Sequence, residues 1–150
     1  MIVTFCGHAH FSGTAEHEHR ILAFLENNVG DRKTDFYLGE YGEFDRFAYH
    51  CCKSYQCTHP DVSLVLVTPY MTVDYQRTHL ERQKERYDAI VYPDLEEKPL
   101  RYAIAYRNRY MVDCADLVIS YIDHDWGGAY KTYRYAKKKG KVVFNLAEFS

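Results

Sequence analysis

The residues best suited to chemistry fall just after apolar runs. Gly127 and Gly128 separate the β-branched run Leu117 to Ile122 from a helix-like segment, with Asp125 and Trp126 before them and Lys131 and Thr132 after. Such glycines let backbone N–H groups approach an anion, a helix start favours negative charge, and lysine and threonine in the first turn meet phosphate oxygens. The Gly-x4-Gly-Lys-Ser/Thr spacing of a Walker A loop is absent, and a glycine pair by itself also punctuates ordinary loops. A second glycine turn, Gly39 to Gly42, precedes Asp45 and Arg46. Asp45 is suited to ribose hydroxyls and Arg46 to phosphate; the competing reading is a capping carboxylate and a solvated arginine.

Three further groups carry chemistry-bearing atoms. Gly7 and His8 end the first apolar run, and His8-Ala9-His10 has the His-x-His form of metal-dependent hydrolases. Those enzymes use a barrel longer than this chain, so the bland reading is a polar loop lining a pocket, and no metal is expected. His50, Cys51, Cys52, Cys57 and His59 are zinc-compatible in type. However, Cys51 and Cys52 lie on the apolar stripe of a helix, and adjacent helical residues point about 100° apart, so buried structural thiols are expected. Arg107-Asn108-Arg109 precedes the glycine-pair strand; Arg107 or Arg109 faces an anion if its helix packs beside that strand, and otherwise forms a solvated basic face. No nucleophile is assignable, because linear order does not fix the spatial proximity of a Ser/His/Asp or Cys/His set.

The elements that must position these residues alternate. Apolar runs at Ile2 to Cys6, Asp35 to Leu38, Val62 to Val67, Ala89 to Tyr92, Leu117 to Ile122 and Lys141 to Phe144 read as strands. Between them lie helical patterns: one capped by Thr14 with Ile21, Leu22, Leu25 and Val29 on one face, and one carrying Phe44, Phe47, Ala48, Cys51, Cys52 and Tyr55. Helices are also expected from about Leu80 to Tyr87, from Arg101 to Cys114 and from Gly128 to Lys139, whereas Met71 to Thr78 looks irregular. Strands with little alternation, separated by helices, predict an α/β fold: a Rossmann-like three-layer sandwich with a mostly parallel sheet and helices on both faces. In such sheets ligands sit beyond the carboxyl ends of the strands, an edge that collects Gly7-His8, Gly39 to Gly42, Thr68-Pro69-Tyr70 and Asp123 to Gly128.

A chain of 150 residues fits one domain. The net charge of -2 and pI near 6.4 give no global basic field, so neither extended nucleic acid nor membrane is expected as a partner, and a small ligand is. No apolar run is long enough to span a bilayer, and Ile2-Val3-Thr4-Phe5-Cys6 shows no secretory signal, so a cytoplasmic protein is expected. Five cysteines without a disulfide-like spacing are read as reduced thiols.

Several ordered motifs resemble the SLOG superfamily, the Rossmann-like group that includes the LOG phosphoribohydrolases, the DprA core and the YpsA-like proteins. The resemblance covers nearly the whole chain. It is closest to the YpsA-like branch, in Thr4-Phe5-Cys6-Gly7-His8, Leu38-Gly39-x-Tyr41-Gly42-x-Phe44-Asp45-Arg46, Leu64 to Tyr70, Arg107-Asn108-Arg109-x-Met111-Val112-Asp113 and Trp126-Gly127-Gly128-Ala129-x-Lys131-Thr132. It implies a single domain over 1–150, a pocket for a nucleotide-derived small molecule with the glycine turns at phosphate, no cofactor, and a homodimer or higher homo-oligomer. LOG enzymes pair a helix arginine with a glutamate three residues past a glycine-threonine turn. Arg107 and Met111 match the first motif, but Tyr135 stands where the glutamate is expected and cannot supply a carboxylate. Ala9 likewise stands where relatives often carry arginine.

The expected function is therefore the sensing or sequestering of a nucleotide-derived molecule. The alternatives are a nucleotide or ADP-ribose hydrolase using Asp45, Glu40 or Glu43, and a metal-dependent hydrolase using His8 and His10.

Overall fold

The computed structural model describes residues 1–147. Six strands form one parallel sheet: β1 (Ile2–Gly7), β2 (Thr34–Leu38), β3 (Val62–Val67), β4 (Ala89–Val91), β5 (Leu117–Tyr121) and β6 (Val142–Asn145), in the spatial order β4-β3-β2-β1-β5-β6. Five helices intervene: α1 (Ala15–Asn28), α2 (Glu43–Gln56), α3 (Val73–Arg86), α4 (Ala103–Cys114) and α5 (Gly128–Lys138), with a 3-10 turn at Leu100–Tyr102 leading into α4. The α/β Rossmann-like expectation is met, because central strands buried on both faces need helices above and below.

The strand side chains divide between two cores. Val3, Phe5, Phe36 and Ile119 pack with Ile21 and Leu25 of α1 and with Phe44, Ala48, Cys51 and Cys52 of α2. Cys6 and Val118 point the other way, against Val112 of α4 and Ala136 of α5. α3 differs from the sequence expectation. It begins at Val73 because Oγ1 of Thr72 accepts the Tyr75 N–H at 3.3 Å, with Asp74 in the first turn. The pattern conceals this start: the helix is polar almost all round, and Gln83 is its only buried residue.

One topological feature positions everything that follows. From β1 the chain builds outward through β2 and β3 to β4, then α4 carries it back so that β5 lies on the opposite side of β1. The carboxyl ends of β1 and β5 thus flank a switch point, where loops leaving in opposite directions open a crevice.

A candidate ligand site at the strand switch point

A cleft of about 250 Å³ lies at that switch point. Its floor is the end of β1, Gly7 and His8, and Arg107, Asn108 and Met111 of α4 form one wall. The opposite rim is the β5–α5 turn, with His124, Trp126, Gly127 and Gly128, followed by Thr132. Asp45 of α2 closes the end.

Arg107 is the buried cation of the cleft, 3% exposed. Its Nη1 donates to the Val67 carbonyl at 2.8 Å and its Nε to Oδ1 of Asn108 at 2.9 Å, so two bonds fix the guanidinium between the end of β3 and the middle of α4. No carboxylate lies within 4 Å of it among the described residues. Burial lowers its pKa, and the Asp45 charge partly restores it; an arginine so placed remains charged. Gly39 makes this reach possible, since a Cβ there would stand 3.0 Å from Nη1.

Asp45 faces the same space. Its Oδ2 accepts the Tyr41 N–H at 2.9 Å. Burial pushes its carboxyl up to about 7, although the Arg107 charge and the Tyr41 hydrogen bond pull it down; the Glu40 charge adds to the rise. At neutral pH this group is divided between acid and carboxylate. Cys6 also lines the cleft, but burial first, and then the Asp45 charge, raises its thiol to about 12, so it is no nucleophile.

The two glycine turns differ in kind. Gly42, at φ +100°, starts α2 hard against the β1–α1 loop: a Cβ would lie 2.6 Å from Cα of Ala9, and the Glu43 N–H donates to the Ala9 carbonyl at 2.9 Å. Its space is filled by protein. Gly127, at φ +93°, starts α5 without a side-chain cap, and a Cβ on it or on Gly128 would meet nothing within 4 Å. Open backbone at an uncapped helix start is available to an anion.

Across the turn, His8 is buried, and its Nε2 accepts the Asp123 N–H at 3.2 Å. Burial and the neighbouring His124 lower its pKa, with Asp123 opposing. The His8 and His124 rings stack at 3.5 Å, and Trp126, 68% exposed, packs on His124 at 4.0 Å. The result is a short aromatic stack open to solvent on its indole face. Among the described residues, His8, Asp123 and His124 are the group whose ligand atoms come near enough for a metal, within 4.8 Å. Two rings only 9° from parallel send their in-plane lone pairs side by side without convergence, a poor fit to a single cation. His10 is exposed, lines the same cleft and is outside that group.

Not every expected residue enters this cleft. Gly39, Gly42 and Arg46 line an adjoining cavity of about 200 Å³, which Asp45 shares. There Glu40 is paired with Arg82 at 3.2 Å and Arg86 at 3.8 Å, two α3 residues that sequence patterning did not single out. Lys131 faces a groove between α4 and α5 that adjoins the cleft at Asn108, Gly128 and Thr132. Asp125 is exposed and lines none of the three. Tyr135 lines the groove, and its hydroxyl donates to Oδ1 of Asp113 at 2.7 Å, the main reason its pKa is raised. Cys51 and Cys52 are buried in the core as expected, and His59 pairs with Glu26 at 2.9 Å.

No sequence family matches the chain, and no curated protein does. Solved structures do. One is DNA processing protein A from Helicobacter pylori, whose report describes its single-stranded DNA binding mode: TM-score 0.64, 16% identity, 99% of this chain covered. The chain spans 66% of that protein's length. The likeness establishes the fold. It also corrects the expectation that extended nucleic acid is not a partner, since the same fold serves a protein described as binding single-stranded DNA. Net charge averages over the surface, whereas Arg101, Arg109, Lys131, Arg134, Lys137 and Lys138 gather along the α4–α5 groove.

Proposed function

We propose that residues 1–150 form one domain of the YpsA-like branch, and that its switch-point cleft holds a nucleotide-derived molecule for sensing or sequestration. A phosphate of the ligand meets the open backbone of Gly127 and Gly128, with Thr132 and Lys131 in the first turns of α5. Its base lies on the exposed face of Trp126. The observation that carries this reading is Arg107, a buried cation with no carboxylate within 4 Å among the described residues, placed across the cleft from an uncapped helix start. A buried charge is costly unless paired, and an anionic ligand supplies the pair. A fold shared with a DNA-binding protein supports the same ligand chemistry.

The test is thermal shift of the pure protein against nucleotides, cyclic nucleotides and ADP-ribose derivatives, with chromatography of whatever is bound. Intact ligand recovered from stabilised protein is the expected result. Arg107→Gln should weaken binding of a nucleoside monophosphate about tenfold or more, the value of one charge-assisted hydrogen bond; an unchanged affinity would remove Arg107 from the site.

Asp45 favours a second reading, hydrolysis. A carboxyl pushed up to about 7 at the edge of a ligand cleft is suited to proton transfer at neutral pH. Of the three carboxylates considered, Glu40 is held by two arginines, and Glu43 lies outside the cleft with Oε2 accepting the Phe11 N–H. Released base or phosphate that disappears in Asp45→Asn would establish hydrolysis over holding.

A further inference from the structure

The α4–α5 groove is lined by six cations, Arg101 and Arg109 on one wall and Lys131, Arg134, Lys137 and Lys138 on the other, and by no carboxylate. None of the six lies within 4 Å of an acidic group among the described residues, whereas both α3 arginines of the cavity beside Glu40 do. Several pack on rings: Arg109 over Tyr106 and Tyr135, Arg134 over Tyr130 and Lys137 over Tyr133. Aromatic neighbours orient these side chains without neutralising them. The groove is wider than the cleft, about 760 Å³, and joins it at Ile104, Asn108, Gly128 and Thr132.

We infer that this groove takes the phosphate chain of the ligand, so that the molecule held is a nucleotide carrying two or more linked phosphates. The inference rests on the nucleotide reading of the cleft. The first phosphate sits at Gly127 and Gly128, and Thr132, shared by both spaces, marks where the chain turns between the helices. Cations on two facing walls set a high density of positive charge. That density matches phosphates joined through one oxygen better than phosphates spaced by sugars along a strand. Like charges crowded together without acids are unfavourable on their own, and a polyanion relieves them.

The experiment is calorimetric titration of the purified full chain with nucleoside mono-, di- and triphosphates of the four common bases, alongside short single-stranded DNA. Affinity should rise about fivefold or more with each added phosphate, about 1 kcal/mol per step, and the triphosphate should show the steeper loss with salt. Arg109→Gln/Arg134→Gln, one exposed cation from each wall, should remove most of that gain. The charge-matched Arg32→Gln/Lys33→Gln variant, in the α1–β2 loop, should keep it. Monophosphate binding with no gain on adding phosphates would overturn this inference and leave the cleft reading standing. Affinity for DNA that exceeds the triphosphate and grows with strand length would overturn it in favour of a strand path. No binding of any probe would overturn both readings.

Discussion

At the scale of single residues, Asp45 offers the most direct measurement. Its carboxyl stands near 7 in the folded chain against an ordinary 3.8, because burial outweighs Arg107 and Tyr41. The folded state therefore holds this proton more tightly than the unfolded one, so the contribution of Asp45 to stability is fully present below about 3.8, falls as pH rises to about 7, and levels above it. Asp45→Asn keeps an acceptor for the Tyr41 N–H and has no charge to bury. Urea unfolding of both proteins at about pH 5 and about pH 8 should show the gap in favour of Asn widening with pH; a constant gap would mean that Asp45 titrates normally. Gly7, His8, Asp45 and Arg107, each singled out by residue type, line one cleft. Residue type did not reveal that Gly39 and Gly42 are small in order to admit Arg107 and the Ala9 backbone, since a close approach is a property of two segments.

Elements were legible in proportion to their burial. β3 and β5 are continuous apolar runs because both faces are covered, and α2 shows a clear stripe because it packs on β1 and β3. α3 shows none, and its first two turns went unseen. Its start depends on the Thr72 cap, so Thr72→Ala should lower stability by about 1 kcal/mol and loosen the helix that brings Arg82, Gln83 and Arg86 to Glu40. Chemical denaturation measures the first effect. Hydrogen exchange confined to Val73–Arg86 measures the second, and protection that stays unchanged there would show the cap to be dispensable.

For the whole molecule, the five free thiols report how it opens. Cys57 is exposed, whereas Cys51 and Cys52 are buried with thiols raised by burial, to about 12 for Cys51. A maleimide pulse read by mass spectrometry should label Cys57 within the first moments, and Cys52 only at the rate of global unfolding, because it sits between α2 and the sheet. Labelling of Cys52 well ahead of that rate would mean that α2 detaches alone. Charge is likewise a whole-molecule quantity that misled: a net of -2 conceals a groove of six cations, because sequence sums charges and only the fold sorts them.

The sequence by itself determined the alternation of strands and helices and the parallel sheet, since these follow from local periodicity and turn chemistry. Strand order was decided only in three dimensions. It sets β1 beside β5, so that His8 meets Asp123 across 115 residues and Arg107 reaches back 40 residues to Val67. Those separations carry no local signal. A cleft that joins the backbone and two rings of the β5–α5 turn, a guanidinium from α4 and the His8 ring at the end of β1 exists only once the sheet has closed.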